Sequence, residues 1–157
     1  MIPLTHVYLA TPYTHTDARV REARFLAVTQ KAAEMWKAGL GVYSPITLTH
    51  EAAVRHELPT DWRFWNALCR DTLSRMHELH VLCLPLWDHS TGVRAEIDLA
   101  RSIGLPVIYH APDILCTTCP DFIVGLPRDG RPCGHRDCIY DSPLPAAEYP
   151  AAATLAA

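Results

Sequence analysis

Short apolar runs recur along the first two thirds of the chain, and polar or glycine-containing stretches separate them. The runs at residues 6–10, 40–43, 80–84 and 106–109 are four or five residues long and rich in Val, Leu, Ile and Tyr. The first three are followed within two residues by a proline. Runs of this length and composition predict four buried β-strands.

Between these runs, apolar and small residues follow helical spacing. A helix is predicted from Asp17 to Ala38, ended by Gly39, and another from Trp62 to about Met76. A third is predicted to begin at Ser90 or Thr91 and to run through Ser102. The stretch 46–59 has a weaker pattern and is interpreted as one short helix and a loop.

The alternation of strands and helices predicts an α/β fold, a doubly wound parallel sheet of four to five strands resembling flavodoxin or Rossmann domains. In such sheets ligands bind outside the carboxyl ends of the strands. Those ends carry residues 8–13, 44–50 and 85–92, where most of the candidate polar side chains fall. The predicted site therefore lies at this edge of the sheet.

Composition narrows the class of protein and of ligand. The chain has 157 residues, 49% of them hydrophobic, which is typical of one globular domain. The net charge of −3 argues against a nucleic-acid polymer as partner. It is compatible with a small anionic ligand, because a single pocket can be locally positive or rich in backbone N–H donors. No apolar run is long enough for a membrane span, and no signal peptide is recognisable, so a cytoplasmic location without membrane contact is predicted.

The last third of the chain has a different character. We divide the sequence into an α/β domain at 1–110, a Cys-rich extension at 111–141 and a Pro/Ala-rich tail at 142–157 that is predicted to be disordered.

Four cysteines of the extension have the spacing of a structural zinc site. Cys116 and Cys119 form one close pair, Cys133 and Cys138 form another, and His135 is a possible substitute ligand. The alternative is free thiols in a loose segment. No cofactor is expected for catalysis itself.

The segment Leu82–Ala100 carries the strongest indication of function. It is predicted to be a strand, a tight loop and a helix that begins at Ser90-Thr91-Gly92. Backbone N–H groups at such a helix start bind anions, and Gly92 lets a ligand approach closely. The alternative from the pattern alone is that Ser90 only caps the helix and Glu96 is a solvated helix residue.

This segment resembles the signature of the nucleoside 2-deoxyribosyltransferase superfamily, in which such a helix bears a catalytic Glu. VYLATPY at residues 7–13, WNALCRDTLSRMHELHVLCL at 65–84 and GLPVIY at 104–109 resemble neighbouring parts of the same fold. The resemblance implies that Glu96 is the nucleophile, that Tyr8 orients it, and that Asp71 binds or protonates the leaving base. A carboxylate that forms a covalent glycosyl-enzyme suits cleavage of an N-glycosidic bond.

The residue six positions before the nucleophile bears on the substrate. The resemblance implies Asp at this position in transferases and Ser in the nucleoside 5'-monophosphate N-glycosidases, and here it is Ser90. A hydroxyl can donate to a phosphate, although Asp88 nearby would repel one if it pointed inward. The residues expected to bind substrate are Ser90, Thr91, Gly92, Asp88, Thr11, Tyr13 and His50.

The sequence therefore predicts an N-glycosidase that hydrolyses a (deoxy)nucleoside 5'-monophosphate. Two alternatives stay open: a deoxyribosyltransferase that exchanges bases, and a nucleotide-sensing module without turnover. His50 could contact the base or the phosphate, but a lone loop His is more often structural or solvated. Trp62 and Trp65 could stack on a base, but aromatic residues at helical spacing are more often core or interface residues. The resemblance also implies a homodimer or larger homo-oligomer, for which Trp62, Phe64 and Trp65 offer an apolar patch.

Overall fold

The four strands form one parallel sheet. The computed structural model describes residues 4–84 and 86–111, and the order across the sheet is β2-β1-β3-β4. Val7 pairs with Val42 on one side of β1, and Leu9 pairs with His80 on the other. The strands are β1 (His6–Ala10), β2 (Gly41–Tyr43), β3 (Glu78–Leu82) and β4 (Val107–His110).

In the described residues four α-helices connect and flank the strands, and each begins at a side-chain cap. Asp17, Ser44, Asp61 and Ser90 each accept a hydrogen bond from a backbone N–H of the first turn, which satisfies one of the donors that a helix start leaves open. The helices are α1 (Ala18–Lys37), α2 (Pro45–Arg55), α3 (Trp62–Leu73) and α4 (Thr91–Ser102).

The sheet has a hydrophobic core on each face. Val7 and Leu9 of β1 pack with α1 residues such as Val28, whereas Tyr8 and Ala10 belong to the cluster that α3 and α4 cover. This alternation follows from the two-residue period of a strand, and both faces are apolar because both are covered. The predicted α/β fold with a doubly wound parallel sheet is confirmed.

Several element boundaries differ by one to three residues from the sequence-based expectation, and the third strand is one example. The third strand is predicted at 80–84 but is Glu78–Leu82. Cys83 and Leu84 are buried although they lie past the last residue of the strand, and the Cys83 N–H still donates to the His110 carbonyl oxygen at 2.9 Å, so the apolar run reports burial beyond the end of the strand. The interpretation of 46–59 as one short helix and a loop is confirmed: the helix is α2, eleven residues long with Pro45 at its first turn, and a loop follows it.

The extension and the tail carry predictions that lie outside the described residues. These are the zinc site at Cys116, Cys119, Cys133, Cys138 and His135 and the disordered tail at 142–157. Within residues 4–84 and 86–111, no helix combines the length and the apolar character needed to cross a bilayer.

Candidate functional site

A cavity of about 910 Å³ opens at the carboxyl edge of the sheet. Its wall includes the segment after β1 and parts of all four helices, so it reaches across the sheet edge from the α1/α2 side to the α3/α4 side. This is the position at which doubly wound sheets bind ligands. Predicted site residues that line it are Glu96, Ser90, Thr91, Gly92, Thr11, Tyr13 and His50.

Glu96 and Tyr8 form a buried pair beside this cavity. Tyr8 points from β1 toward α4, and its hydroxyl donates a hydrogen bond to Glu96 Oε1 at 2.6 Å. Glu96 lies on the inner face of α4 between the buried side chains of Val93 and Ile97, and only 5% of it is exposed. Its place on the apolar face of an amphipathic helix makes the alternative of a solvated helix residue wrong.

Burial changes the acid–base behaviour of this pair. Loss of solvation raises the pKa of Glu96 to about 7, and the hydrogen bonds from Tyr8 and Cys69 oppose that rise only in part. Burial and the neighbouring Glu96 also raise the pKa of Tyr8 well above its usual value, so Tyr8 remains a hydrogen-bond donor. The Cys69 thiol has its pKa raised to about 11, chiefly by burial. Glu96 can therefore exchange a proton near neutral pH while its two neighbours stay protonated.

The start of α4 forms the wall next to Glu96. Ser90 Oγ accepts a hydrogen bond from Val93 N at 3.4 Å, so Ser90 caps the helix and its own hydroxyl proton can point to a ligand. A Cβ at Gly92 would lie 3.2 Å from Trp62 Cε3, which shows how closely the indole covers this turn. Asp88 does not line the cavity; it is exposed and contacts His89 at 2.9 Å.

Helix α3 turns one face to the cavity, and Asp71 is not on that face. Trp62, Trp65, Asn66 and Cys69 line the cavity at the i, i+3, i+4, i+7 spacing of one helical stripe. Asp71 follows Cys69 by two residues and so points to the far side of the helix. Its side chain is 62% exposed and pairs with Arg75 at 2.9 Å, and this pairing lowers the pKa of Asp71.

The position of Asp71 corrects the expected constellation. The structure does not bring Asp71 to Glu96, because Asp71 lies on the face of α3 that points away from the cavity. The carboxylates in the described cavity wall are Glu96 and Asp61. Asn66 and Cys69 were missed as site residues, although their spacing from Trp62 and Trp65 was a readable signal.

His50 supports the loop after β1. It is buried on α2, stacks on Phe25 at a ring distance of 4.1 Å, and places its two ring nitrogens 2.8 Å from the Tyr13 hydroxyl and from Glu22 Oε2. Both nitrogens therefore have protein partners. His50 therefore has a structural role, since it holds Tyr13 at the cavity wall, and it also lines the cavity itself.

Arg24 is a second residue that sequence reasoning missed. It lines the cavity, is only 6% exposed, and donates a hydrogen bond to the Thr14 carbonyl oxygen at 3.0 Å. A signal was present, because Arg24 falls on the stripe of α1 that also buries Val20 and Val28. A cation on an otherwise apolar stripe requires a polar environment, and the cavity is part of it.

Residues 4–84 and 86–111 contain no group of three or more His, Cys, Asp or Glu side chains placed to hold a metal ion.

No curated protein matches the sequence. A family model described as a domain of unknown function, DUF1937, matches residues 5–111, which is more than half of the 157 residues. The chain therefore belongs to the DUF1937 family.

Proposed function

We propose that this protein hydrolyses the N-glycosidic bond of a (deoxy)nucleoside 5'-monophosphate, with Glu96 as the nucleophile. The observation that carries the proposal is the buried Tyr8–Glu96 pair, 2.6 Å apart, at a cavity large enough for a nucleotide. A carboxylate held by a tyrosine hydroxyl in a water-poor wall is suited to attack an anomeric carbon.

The reaction would proceed in two steps. In the first, Glu96 forms a bond to the anomeric carbon, the bond from that carbon to the base nitrogen breaks, and the base leaves with the electron pair and takes up a proton. In the second, water attacks the anomeric carbon, the bond to Glu96 breaks, and the proton from water replaces the one taken by the base. The products are a sugar phosphate and a free base.

The cavity wall offers partners for the rest of the substrate. The backbone N–H groups at the start of α4, with the Ser90 hydroxyl, suit the 5'-phosphate. The face of α3 supplies the Trp62 and Trp65 rings and the Asn66 amide for the base. Asp61, at the start of that helix, is the carboxyl group that we assign to the leaving base in place of Asp71.

Glu96→Gln tests the proposal most directly. The wild-type protein should release free base from at least one member of a panel of ribo- and deoxyribonucleoside 5'-monophosphates, measured by chromatography. Glu96→Gln should lower the rate at least about a thousandfold, because an amide cannot form the covalent intermediate. Asp98→Asn is the matched control: it changes an exposed carboxylate on the same helix and should retain the wild-type rate.

The pH profile and three outcomes complete the test. As a nucleophile, Glu96 must be ionised, so kcat/KM should rise through about pH 7, in line with its raised pKa. Equal base release by wild type and Glu96→Gln on every substrate would reject the proposal. Base exchange with an unphosphorylated deoxynucleoside would indicate a transferase. Tight binding of intact nucleotide, unaffected by Glu96→Gln, would indicate a sensing module.

A further inference from the structure

We infer that Leu86 is a further substrate-binding residue, whose side chain covers an apolar ring of the nucleotide in the cavity. The ligand chemistry is that of a sugar ring or a base ring, and not of a phosphate. The inference rests on the proposed function for the class of ligand, but it does not depend on cleavage at Glu96.

The backbone of Leu86 provides the first observation. Leu86 has φ 62° and ψ 23°, which lie in the left-handed region. The Trp87 N–H donates to the Leu84 carbonyl oxygen at 3.0 Å and closes a four-residue turn with Leu86 at its third position. Gly or Asn ordinarily takes such a position, because other residues are sterically disfavoured there. The turn alone therefore does not explain a leucine.

A comparison with Glu57 excludes the commonest reason for this conformation. In the part of the chain that the structure describes, Glu57 and Leu86 are the non-glycine residues with positive φ. Glu57 follows the cap residue of α2, where a left-handed residue commonly ends a helix. Leu86 ends no helix, since it lies between β3 and α4. A strained position of this kind beside a cavity is a reason to look for a role in binding.

The side chain of Leu86 provides the second, independent observation. It is 64% exposed and lines the cavity together with residues 89–93 of the same connection. The next residue, Trp87, instead packs against the core, with its ring 5.3 Å from the ring of Tyr109. The turn therefore buries an indole and leaves an isobutyl group in water at the cavity, which is unfavourable until a ligand covers it.

The position of Leu86 indicates which part of a nucleotide it contacts. Ser90, which we assign to the 5'-phosphate with the start of α4, follows Leu86 by four positions. An isobutyl group cannot replace the hydration of a charged phosphate, whereas the C–H face of a sugar and the face of a base gain from leaving water. The partner of Leu86 is therefore one of these two rings.

Calorimetric titration of nucleoside 5'-monophosphates into the Glu96→Gln protein tests the contact without cleavage. Leu86→Ala and Leu86→Gly in that background should each weaken binding about tenfold, because the ring loses its apolar cover. Leu86→Met keeps an apolar side chain and should bind within about twofold of the parent. Leu48→Ala is the matched control, since Leu48 is also 64% exposed but is not part of the cavity wall.

Denaturant unfolding separates a ligand contact from a structural role. Leu86→Gly relieves the left-handed conformation, so the midpoint of unfolding should rise while the affinity for nucleotide falls. Glu57→Gly relieves a positive φ outside the cavity wall, so it should also raise the midpoint but leave the affinity unchanged. A leucine that supported the fold would instead lower the midpoint when removed.

Titration with ribose 5-phosphate and 2-deoxyribose 5-phosphate identifies the ring that Leu86 covers. If the ring is the sugar, Leu86→Gly should weaken the binding of a sugar phosphate as much as that of a nucleotide. If the ring is the base, only the binding of the nucleotide should weaken. Either result supports the contact.

The inference is overturned if no nucleotide binds to the parent protein, or if Leu86→Ala and Leu86→Gly bind every nucleotide as the parent does. Base release by an otherwise wild-type protein with kcat/KM unaffected by Leu86→Gly would also overturn it, and would leave the proposed function standing. Binding of intact nucleotide that depends on Leu86, without base release by wild type, would reject the proposed function and leave the contact established.

Discussion

At the scale of single residues, Glu96 combines burial with a titratable charge. Solvent would stabilise its ionised form, but the α4 face that it shares with Val93 and Ile97 excludes solvent. Hydrogen bonds from Tyr8 and Cys69 stabilise the ionised form in part, but burial has the larger effect. The pKa of Glu96 is therefore about 7, above the ordinary 4.5. Such a group gives the folded state a dependence on pH that an exposed carboxylate does not.

Glu96→Gln should make the protein more stable at high pH. The folded-state pKa is raised, so the folded state binds the extra proton between about pH 4.5 and pH 7, and wild-type stability falls as pH rises through that range. A shift of this size corresponds to about 3 kcal/mol. The quantity to compare is the free energy of unfolding of the variant minus that of wild type. This difference should be up to about 3 kcal/mol more favourable to the variant at pH 8 than at pH 4.

Denaturant unfolding at several pH values measures this gain. Asp98→Asn removes an exposed charge from the same helix, so its difference from wild type should vary far less over the same range. If the Glu96→Gln difference is the same at pH 4 and pH 8, Glu96 is not a buried carboxylate with a raised pKa.

At the scale of elements, the sequence predicted the types and order of the strands and helices well. Both sheet faces are covered, so each strand is a continuous apolar run, and the first run, His6–Ala10, is predicted to the residue. Boundaries set by hydrogen bonding were less accessible, as the third strand shows. The start of α4 was predicted because Ser90 is a strong helix cap.

The sequence predicted the site residues whose position follows from a local feature such as a helix cap. It did not predict those whose position depends on which face of a helix turns to the cavity. The Ser90–Gly92 turn was identified from its sequence pattern, and Glu96 from the resemblance of the segment Leu82–Ala100. Asp71 and Cys69 are only two positions apart, but they lie on opposite faces of α3. A small error in assigning the inward face of the helix therefore selects the exposed Asp71 in place of the cavity residue Cys69. Arg24 was missed for another reason: a cation early in a helix is usually solvated, and the cavity beside it is a tertiary feature.

The contact between α3 and α4 gives a prediction at this scale. An Ala at position 92 would place its Cβ 3.2 Å from Trp62 Cε3, so the indole must move by a few tenths of an ångström. Ala favours a helix over Gly by up to ~1 kcal/mol, and overpacking costs about 1–3 kcal/mol. We therefore expect Gly92→Ala to destabilise the wild-type protein by about 1 kcal/mol.

A double-mutant cycle with Trp62→Phe isolates the cause. The smaller ring removes the atoms that meet the new Cβ, so Gly92→Ala should be neutral or stabilising in that background, a coupling of about 1 kcal/mol by denaturant unfolding. If Gly92→Ala has the same effect in both backgrounds, the close packing of Trp62 against position 92 is not the reason for its effect on stability.

At the scale of the whole molecule, large apolar residues are exposed on several elements, and two of them, Phe64 and Leu68, lie together on α3. Phe64 is 50% exposed and Leu68 is 46% exposed, and their i, i+4 spacing makes them neighbours on the helix surface. The Phe64 ring also packs edge-to-face against Trp65, whose other contacts reach the cavity wall and the core. Leu48 and Val54 on α2 are more exposed, at 64% and 60%, but they are six positions apart and do not form such a pair.

We predict that the Phe64–Leu68 pair joins two copies of the chain, which would connect assembly to the cavity through Trp65. Light scattering at micromolar concentration should give the mass of a dimer for wild type and of a monomer for Phe64→Glu, because a carboxylate buried in an apolar interface is strongly unfavourable. Leu48→Glu adds the same charge at an exposed leucine on α2 and should stay dimeric. A monomeric wild type would reject the dimer, and a dimer unaffected by Phe64→Glu would place its interface elsewhere on the molecule.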